Sequence, residues 1–128
     1  LRGLHAQSPN PQGKLVRCVE GAVWDVSVDV RLGSSSFGRH VAAELTAENF
    51  HQLYVPPGFL HGFVVLTEVA QVEYKCTAAY DPTADFGVRW NDPELSIPWP
   101  IETPLLSDKD RRAPLLSEVR DRLVTVPG

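Results

Sequence analysis

The chain has 128 residues, of which 43% are hydrophobic and 22% charged, and its formal net charge is −4. This length supports a single domain over residues 1–128 with a sizeable apolar core, and the composition argues against disorder. No apolar run approaches the roughly 20 residues that cross a bilayer, so we expect no membrane segment. The Lys and Arg residues are spread along an acidic chain, which argues against a nucleic-acid partner but allows a small anionic ligand.

The first part of the chain has the pattern of strands separated by loops. Residues 1–6 predict a short extended segment, and residues 8–13 a loop that contains prolines and a glycine. Residues 14–19 alternate and are rich in β-branched side chains, which predicts a strand. Residues 23–30 predict the clearest strand of the chain, since apolar and polar side chains alternate throughout.

The predicted strand at residues 23–30 has one apolar and one polar face. Asp25, Ser27 and Asp29 share the polar face because side chains alternate along a strand. In antiparallel sheets such a face usually contacts water, and this is our interpretation. If the sheet closes on itself, the same face instead lines a polar pocket.

The rest of the chain continues with strands and ends in a helix. Strands are predicted at residues 38–45, 52–55, 63–66, 70–78 and 87–90, with a turn at 46–49 and a loop at 81–86. Residues 91–104 contain four prolines and predict an irregular surface segment. Residues 114–124 predict a helix, because leucines and a valine recur at helical spacing after Pro114. The expected fold is therefore all-β, an antiparallel sandwich or jelly-roll barrel with a short C-terminal helix.

His5 and Lys14 suit the abstraction of a proton next to a carbonyl group. A histidine moves protons near neutral pH, and a nearby ammonium can hold the negative charge that forms on the carbonyl oxygen. A histidine base also needs a partner that orients its ring, and Asp110 or Asp25 is a candidate for that role. If Asp110 does not orient a histidine, residues 107–110 have the pattern of a solvated turn.

Further candidate residues lie in the middle of the chain. Residues 56–61 predict a tight turn that delivers His61 onto a strand, where its ring can point into a barrel. Tyr74 is either a core aromatic or a general acid that faces a histidine base, and Tyr80 can stack on a flat ligand or cap the barrel. We expect no bound metal, because His5 and His61 are the only plausible imidazole ligands and there is no His-x-His pair.

The cysteines and the first residue bear on the cellular setting. Cys18 and Cys76 lie among strand-like residues and are expected to be reduced, buried thiols, although a disulfide between them stays open. The chain begins with a leucine and contains no methionine, so we expect the native start to lie upstream.

Nine short motifs occur in an order and spacing that resemble one known family. They are LRGLH at 1–5, QGKLVR at 12–17, VWDVSVD at 23–29, FG at 37–38, AEN at 47–49, PPGFLHGF at 56–63, YKCT at 74–77, WNDP at 90–93 and LSDKD at 106–110. Together they resemble the dTDP-4-dehydrorhamnose 3,5-epimerase (RmlC) family, and the resemblance extends from residue 1 to about residue 116. It implies a cupin jelly roll, usually a homodimer, that needs no metal or other cofactor.

The resemblance also implies an activity. Members of the family are isomerases that invert C3 and C5 of dTDP-4-dehydro-6-deoxy-D-glucose to give dTDP-4-dehydro-L-rhamnose. This is a step of dTDP-rhamnose and lipopolysaccharide biosynthesis, for which we expect a cytoplasmic location.

By the same resemblance, His5 would be the base and Asp110 its partner, Lys14 would stabilise the enolate oxygen, and Tyr74 would return a proton from the opposite face. Lys14 is thereby also an implied substrate contact. Arg2 and His61 would bind the diphosphate, Tyr80 would stack on thymine, and Asp85 and Lys109 would contact the substrate at further positions.

The chain departs from the family pattern at three points. The family's N-terminal part, which carries substrate-contacting residues that often act across the dimer, is not in this chain. Ala6 stands where an aromatic residue commonly follows the histidine, and Asp85 is shorter than the usual glutamate.

Three alternatives remain: an epimerase acting at one carbon of another dTDP-4-keto-deoxysugar, a non-catalytic sugar-nucleotide-binding cupin, and a metal-dependent cupin oxygenase.

Overall fold

The structure, a computed structural model that describes residues 1–127, is built mainly from β-strands. The strands are β1 (Arg2–Gln7), β2 (Lys14–Glu20), β3 (Ala22–Asp29), β4 (His40–Thr46), β5 (Gln52–Val55), β6 (Phe59–Val65), β7 (Gln71–Cys76) and β8 (Asp85–Gly87). A single-turn helix, α1 (Asp108–Arg111), and two 3₁₀ turns, Leu116–Glu118 and Arg120–Arg122, follow them.

The strands form two antiparallel sheets. One sheet has the order β4-β3-β6-β1-β8 and the other the order β5-β2-β7. Strands that neighbour each other in space are mostly distant in sequence, as in a jelly roll. The predicted all-β jelly-roll fold is thus confirmed, and a short helix, α1, is present near the C-terminus.

Two separate apolar clusters stabilise this arrangement. The first lies between the sheets and contains Val16 and Val55 from the small sheet with Val23 and Leu45 from the large one. The second lies on the outer face of the large sheet, where the chain after β8 covers it. Its buried members are Leu4, Val26, Val28, Val30, Leu60, Phe86, Val88, Leu95, Leu116, Val119 and Leu123.

The interpretation that the polar face of β3 contacts water is wrong. Asp25, Ser27 and Asp29 are 0%, 4% and 1% exposed, because this face points between the two sheets. The apolar face of β3 is buried as well, under the C-terminal segment. Because both faces are covered, the polar side chains of β3 lie in the interior. This agrees with the alternative interpretation, in which the polar face lines a pocket.

The predicted helix at residues 114–124 is also wrong. The segment forms the two 3₁₀ turns, with Val119 between them in a non-helical conformation. Leu116, Val119 and Leu123 do bury their side chains on the sheet, so the apolar spacing reflects packing. A short segment gains little from helix formation alone, and tertiary contacts decide its conformation.

Several strand boundaries differ from the predictions. The strand predicted at residues 63–66 begins at Phe59, immediately after Gly58, whose φ of 91° completes the turn. The strand predicted at residues 87–90 is instead β8, Asp85–Gly87. Residues 107–110 are a cap and a helical turn with a buried aspartate, whereas a solvated turn was one interpretation. Within residues 1–127, no helical segment has the length and apolar character that spanning a membrane requires.

Candidate active site

An irregularity in β1 brings Arg2 and His5 to the same face of the sheet. Arg2 pairs with Phe63 and His5 with His61, so β1 uses one residue more than β6 over this interval. In a regular strand, residues three apart point to opposite faces, and the extra residue of a β-bulge reverses this. Gly3 makes the bulge possible, since its φ is 118° and a Cβ atom there would lie 2.8 Å from the Gly62 Cα atom.

His5 forms a short hydrogen bond with Asp110. The His5 Nε2 atom lies 2.6 Å from Oδ1 of Asp110, whose side chain is only 4% exposed. The other carboxylate oxygen accepts a hydrogen bond from the Gly3 backbone N–H, and the Asp110 N–H donates to the Ser107 side chain. Because a carboxylate accepts from Nε2, Nδ1 of His5 keeps its lone pair and is the nitrogen able to take a proton.

A second histidine and aspartate form a similar pair deeper between the sheets. The His61 Nε2 atom lies 2.6 Å from Oδ1 of Asp25, and the two side chains are 5% and 0% exposed. The other Asp25 oxygen and the Ser27 hydroxyl are buried without a hydrogen-bond partner in the described part of the chain. Both aspartates considered for a histidine partner are therefore used, Asp110 for His5 and Asp25 for His61.

Lys14 and Tyr74 come from the small sheet. Lys14 pairs with Cys76 and Val16 with Tyr74 in the register of β2 and β7, so all four side chains share the inner face. The Lys14 ammonium lies 6.0 Å from the centre of the Tyr74 ring, and that ring meets the His61 ring edge-on at 5.9 Å between centroids.

Burial shifts the pKa values of both Lys14 and Tyr74. Desolvation lowers the pKa of the Lys14 ammonium below its usual range, against the nearby acidic groups that raise it. Desolvation likewise raises the pKa of the Tyr74 phenol; the positive charge of Arg2 opposes this increase and the negative charge of Asp25 adds to it. At neutral pH Tyr74 is therefore a protonated phenol, which can donate a proton.

Tyr80, Asp85 and Lys109 lie at the more open end of the site. The Lys109 ammonium donates to Oδ2 of Asp85, and this hydrogen bond raises the pKa of Lys109. Tyr80 is 65% exposed, so much of its ring is free to contact a ligand. A flat aromatic ring at the edge of a cavity is suited to stacking on a planar group.

These side chains line one cavity of about 230 Å³. Every predicted site residue except Asp110 is on its wall, and Asp110 lies behind His5. The predicted residues on the wall are Arg2, His5, Lys14, His61, Tyr74, Tyr80, Asp85 and Lys109. No group of three His, Cys, Asp or Glu side chains within residues 1–127 is arranged to hold a metal ion.

Three of the wall residues that the sequence interpretation missed carry an amide or a thiol. Gln7 and Gln12 line the cavity, and Cys76 lies there as an exposed free thiol, whereas Cys18 is free and buried. Alternation along β1 places Gln7 on the face of His5, which is a signal that the sequence contained. The expectation of two buried thiols is thus wrong for Cys76.

Comparison with known proteins identifies the family. The family model described as dTDP-4-dehydrorhamnose 3,5-epimerase matches residues 1–118. A protein of that name from Neisseria gonorrhoeae is 55% identical over 111 residues, which cover 86% of this chain and 34% of the relative. The next curated relatives, from Shigella flexneri and Pseudomonas aeruginosa, are covered to 61% and 62% of their length, so the chain spans less than two thirds of them.

Two solved structures are also similar to this chain. The epimerase RmlC from Legionella pneumophila, in complex with dTDP-4-keto-L-rhamnose, is 46% identical with a TM-score of 0.96, and the match covers 99% of this chain and 69% of that one. The 3′-monoepimerase ChmJ from Streptomyces bikiniensis, in complex with dTDP-quinovose, is 41% identical with a TM-score of 0.88, covering 97% and 65%. With the family model matching most of its length, this chain belongs to the dTDP-4-dehydrorhamnose 3,5-epimerase family.

Proposed function

We propose that this protein inverts C3 and C5 of dTDP-4-dehydro-6-deoxy-D-glucose to give dTDP-4-dehydro-L-rhamnose. The observation that carries the proposal is that His5 and Tyr74 line the same cavity from different sheets, with the ammonium of Lys14 between the sheets beside them. Inversion requires a base and an acid on opposite faces of the sugar ring. Two sheets that face each other across a cavity can supply this pair.

Each inversion follows the same sequence of proton transfers. Nδ1 of His5 takes the proton from C3, the C–H electron pair forms a C3–C4 double bond, and the C4 carbonyl becomes an enolate oxygen held by Lys14. Tyr74 donates its phenolic proton to C3 from the other face, which restores the ketone. His5 then releases its proton to solvent and Tyr74 regains one, and C5 reacts in the same way. No electrons are gained or lost overall, so the reaction requires no redox cofactor.

Polar side chains and an aromatic ring are proposed to hold the nucleotide part of the substrate. Arg2 and His61 bind the diphosphate, and Tyr80 stacks on the thymine ring. Asp85 and Lys109 make further contacts with the substrate. Asp110 acts through His5 by fixing the orientation of its ring. A homodimer and a cytoplasmic location are the arrangement and setting that family membership favours, and both stay predictions.

A second candidate is an epimerase that acts at C3 alone. Its support is the similarity to the 3′-monoepimerase ChmJ, which is close to the similarity to RmlC. The base, the ammonium and the phenol serve one inversion as well as two. The two candidates therefore use the same reacting residues and differ in whether C5 is inverted as well as C3.

Incubation with dTDP-4-dehydro-6-deoxy-D-glucose in deuterated water tests the proposal. We expect deuterium at both C3 and C5 and a product with the L-rhamno configuration, measured by NMR. Label and inversion at C3 alone would assign the chain to the single-carbon epimerases. Binding of the substrate without any label would identify a sugar-nucleotide-binding protein and contradict an enzymatic role.

A further inference from the structure

A buried amide, that of Gln7, holds the backbone on both sides of Tyr80. The Gln7 Nε2 atom donates to the Ala79 carbonyl at 3.1 Å, and Oε1 accepts from the Asp81 N–H at 3.0 Å. The same nitrogen also donates to the Asn10 carbonyl at 2.7 Å. Gln7 is 4% exposed, and both the nitrogen and the oxygen of its amide are hydrogen-bonded to backbone groups.

Each of the other hydrogen bonds of the segment that carries Tyr80 holds it on one side of that residue only. The segment lies between β7 and β8, and Tyr80 itself is largely exposed. Before Tyr80, Gln12 donates to the Ala78 carbonyl. After it, the Asp81 side chain accepts from Thr83 and closes a local turn. Among residues 1–127, Gln7 is the residue whose side chain bonds to the backbone on both sides of Tyr80.

We propose that Gln7 is a positioning residue that fixes the Tyr80 ring for stacking on the nucleobase of the substrate. This inference rests on the proposed function, because it takes the substrate to carry a planar base. A loop that is ordered before binding avoids the entropy cost of being ordered by the ligand, so a larger part of the stacking energy appears as affinity. Gln7 touches no part of the ligand in this role and acts through Tyr80.

The position of Gln7 also links the two ends of the site. Gln7 and His5 share one face of β1 and are two residues apart, which is about 6.6–6.8 Å along a strand. One rigid strand thus carries the proposed base and the group that places the stacking ring. The strand therefore helps to set the spacing between the His5 imidazole and the Tyr80 ring.

A double-mutant cycle with dTDP as ligand tests the inference. Dissociation constants are measured by calorimetry for the unmodified chain, Gln7→Met, Tyr80→Ala and the double variant. Gln7→Met is expected to weaken binding about tenfold when Tyr80 is present, within the range that base stacking contributes. In the Tyr80→Ala background the same change is expected to alter binding less than twofold, since its effect passes through the ring.

Kinetic constants separate this role from general damage to the fold. We expect the KM of Gln7→Met to rise about tenfold and its kcat to fall less than threefold, since the reacting end of the cavity keeps its residues. Asn49→Ala is the matched control, because the Asn49 amide clamps the turn after β4, outside the cavity wall. That variant is expected to bind dTDP as the unmodified chain does.

Two results would overturn the inference: unchanged dTDP affinity in a folded Gln7→Met variant, or equal weakening with and without Tyr80. If Gln7→Met does not fold, Gln7→Asn replaces it. Asn keeps an amide but is shorter by one C–C bond, about 1.5 Å, and cannot reach both Ala79 and Asp81. Loss of folding in both variants would assign Gln7 to the core and also refute the positioning role. If the unmodified chain binds no dTDP, the proposed function itself is contradicted.

Discussion

His5 and His61 lie directly opposite each other on β1 and β6, yet each ring is hydrogen-bonded to its own aspartate. The side chain of His5 is 19% exposed and that of His61 only 5%, so His5 has the greater access to the cavity. This difference suits His5 to exchanging protons with a substrate and with solvent. It suits His61 to holding a fixed hydrogen-bonding position.

We expect His5→Ala to stop exchange of the C3 and C5 hydrogens with deuterated solvent. The reason is that one imidazole is proposed to remove both protons, and positioned acid–base groups contribute about 10²- to 10⁴-fold in rate. The measurement is NMR of the substrate in deuterated water. His51→Ala is the control, because His51 is an exposed residue before β5. Persistent exchange at both carbons would contradict the single-base scheme.

Tyr74→Phe is expected to separate exchange from inversion. His5 still removes a proton in this variant, but no phenol remains to deliver one from the other face. Deuterium should therefore enter the unreacted substrate faster than inverted product forms, as followed in a single NMR time course. Tyr54→Phe is the control, because Tyr54 is 52% exposed and its register partner on β2 is Leu15, which lies on the outer face. Equal loss of exchange and inversion would remove the assigned role from Tyr74.

Much of this fold could be predicted from local alternation. The pattern of residues 52–55 gave β5 with its observed bounds, and that of residues 23–30 gave β3 within one residue at each end. Alternation states which side chains share a face, but it does not say what covers that face. The polar side of β3 was misplaced for this reason, since its environment depends on strands and a C-terminal segment that are distant in sequence.

Some residues of the site could likewise be predicted from the sequence, and others could not. His5, Lys14 and Tyr74 could be chosen from residue type and motif, because acid–base chemistry restricts the side chains that can perform it. The pairing of His5 with Asp110 joins residues 105 apart, and no local pattern specifies it. Gln7 was overlooked because an amide has no acid–base chemistry, and its function depends on the backbone that it holds.

Lys14→Ala is expected to lower turnover by about a hundred- to a thousandfold, the range for loss of one group that stabilises an oxyanion. Its melting temperature should stay close to that of the unmodified chain, because burial disfavours the Lys14 ammonium, as its lowered pKa indicates. Arg17→Ala is the matched control on the same strand, since Arg17 pairs with Glu73 on the exposed surface. Steady-state kinetics and thermal unfolding measure both effects. Near-normal turnover would show that another group holds the enolate.

The buried carboxylate of Asp29 should make stability depend on acidic pH. Burial alone would raise the pKa of Asp29, but hydrogen bonds from Arg31, Ser34 and Ser36 outweigh it and hold the pKa well below its ordinary value of 3.8. The ionised form is thus favoured by folding, and the resulting stability is present above about pH 4 and decreases as the pH falls toward the lowered pKa.

Asp29→Asn tests this dependence, because it keeps the size of the side chain and removes its charge. At pH 7 we expect a loss of about 2 kcal/mol in the free energy of unfolding, the scale of charge-assisted hydrogen bonds lost to Arg31 and its neighbours. Below about pH 4 the difference from the unmodified chain should shrink, because Asp29 then takes up a proton in the unfolded chain while it stays ionised in the folded one, which stabilises the unfolded state. Urea unfolding from pH 7 to pH 3 measures it. A difference that stays constant over this range would mean that the charge of Asp29 does not contribute to stability.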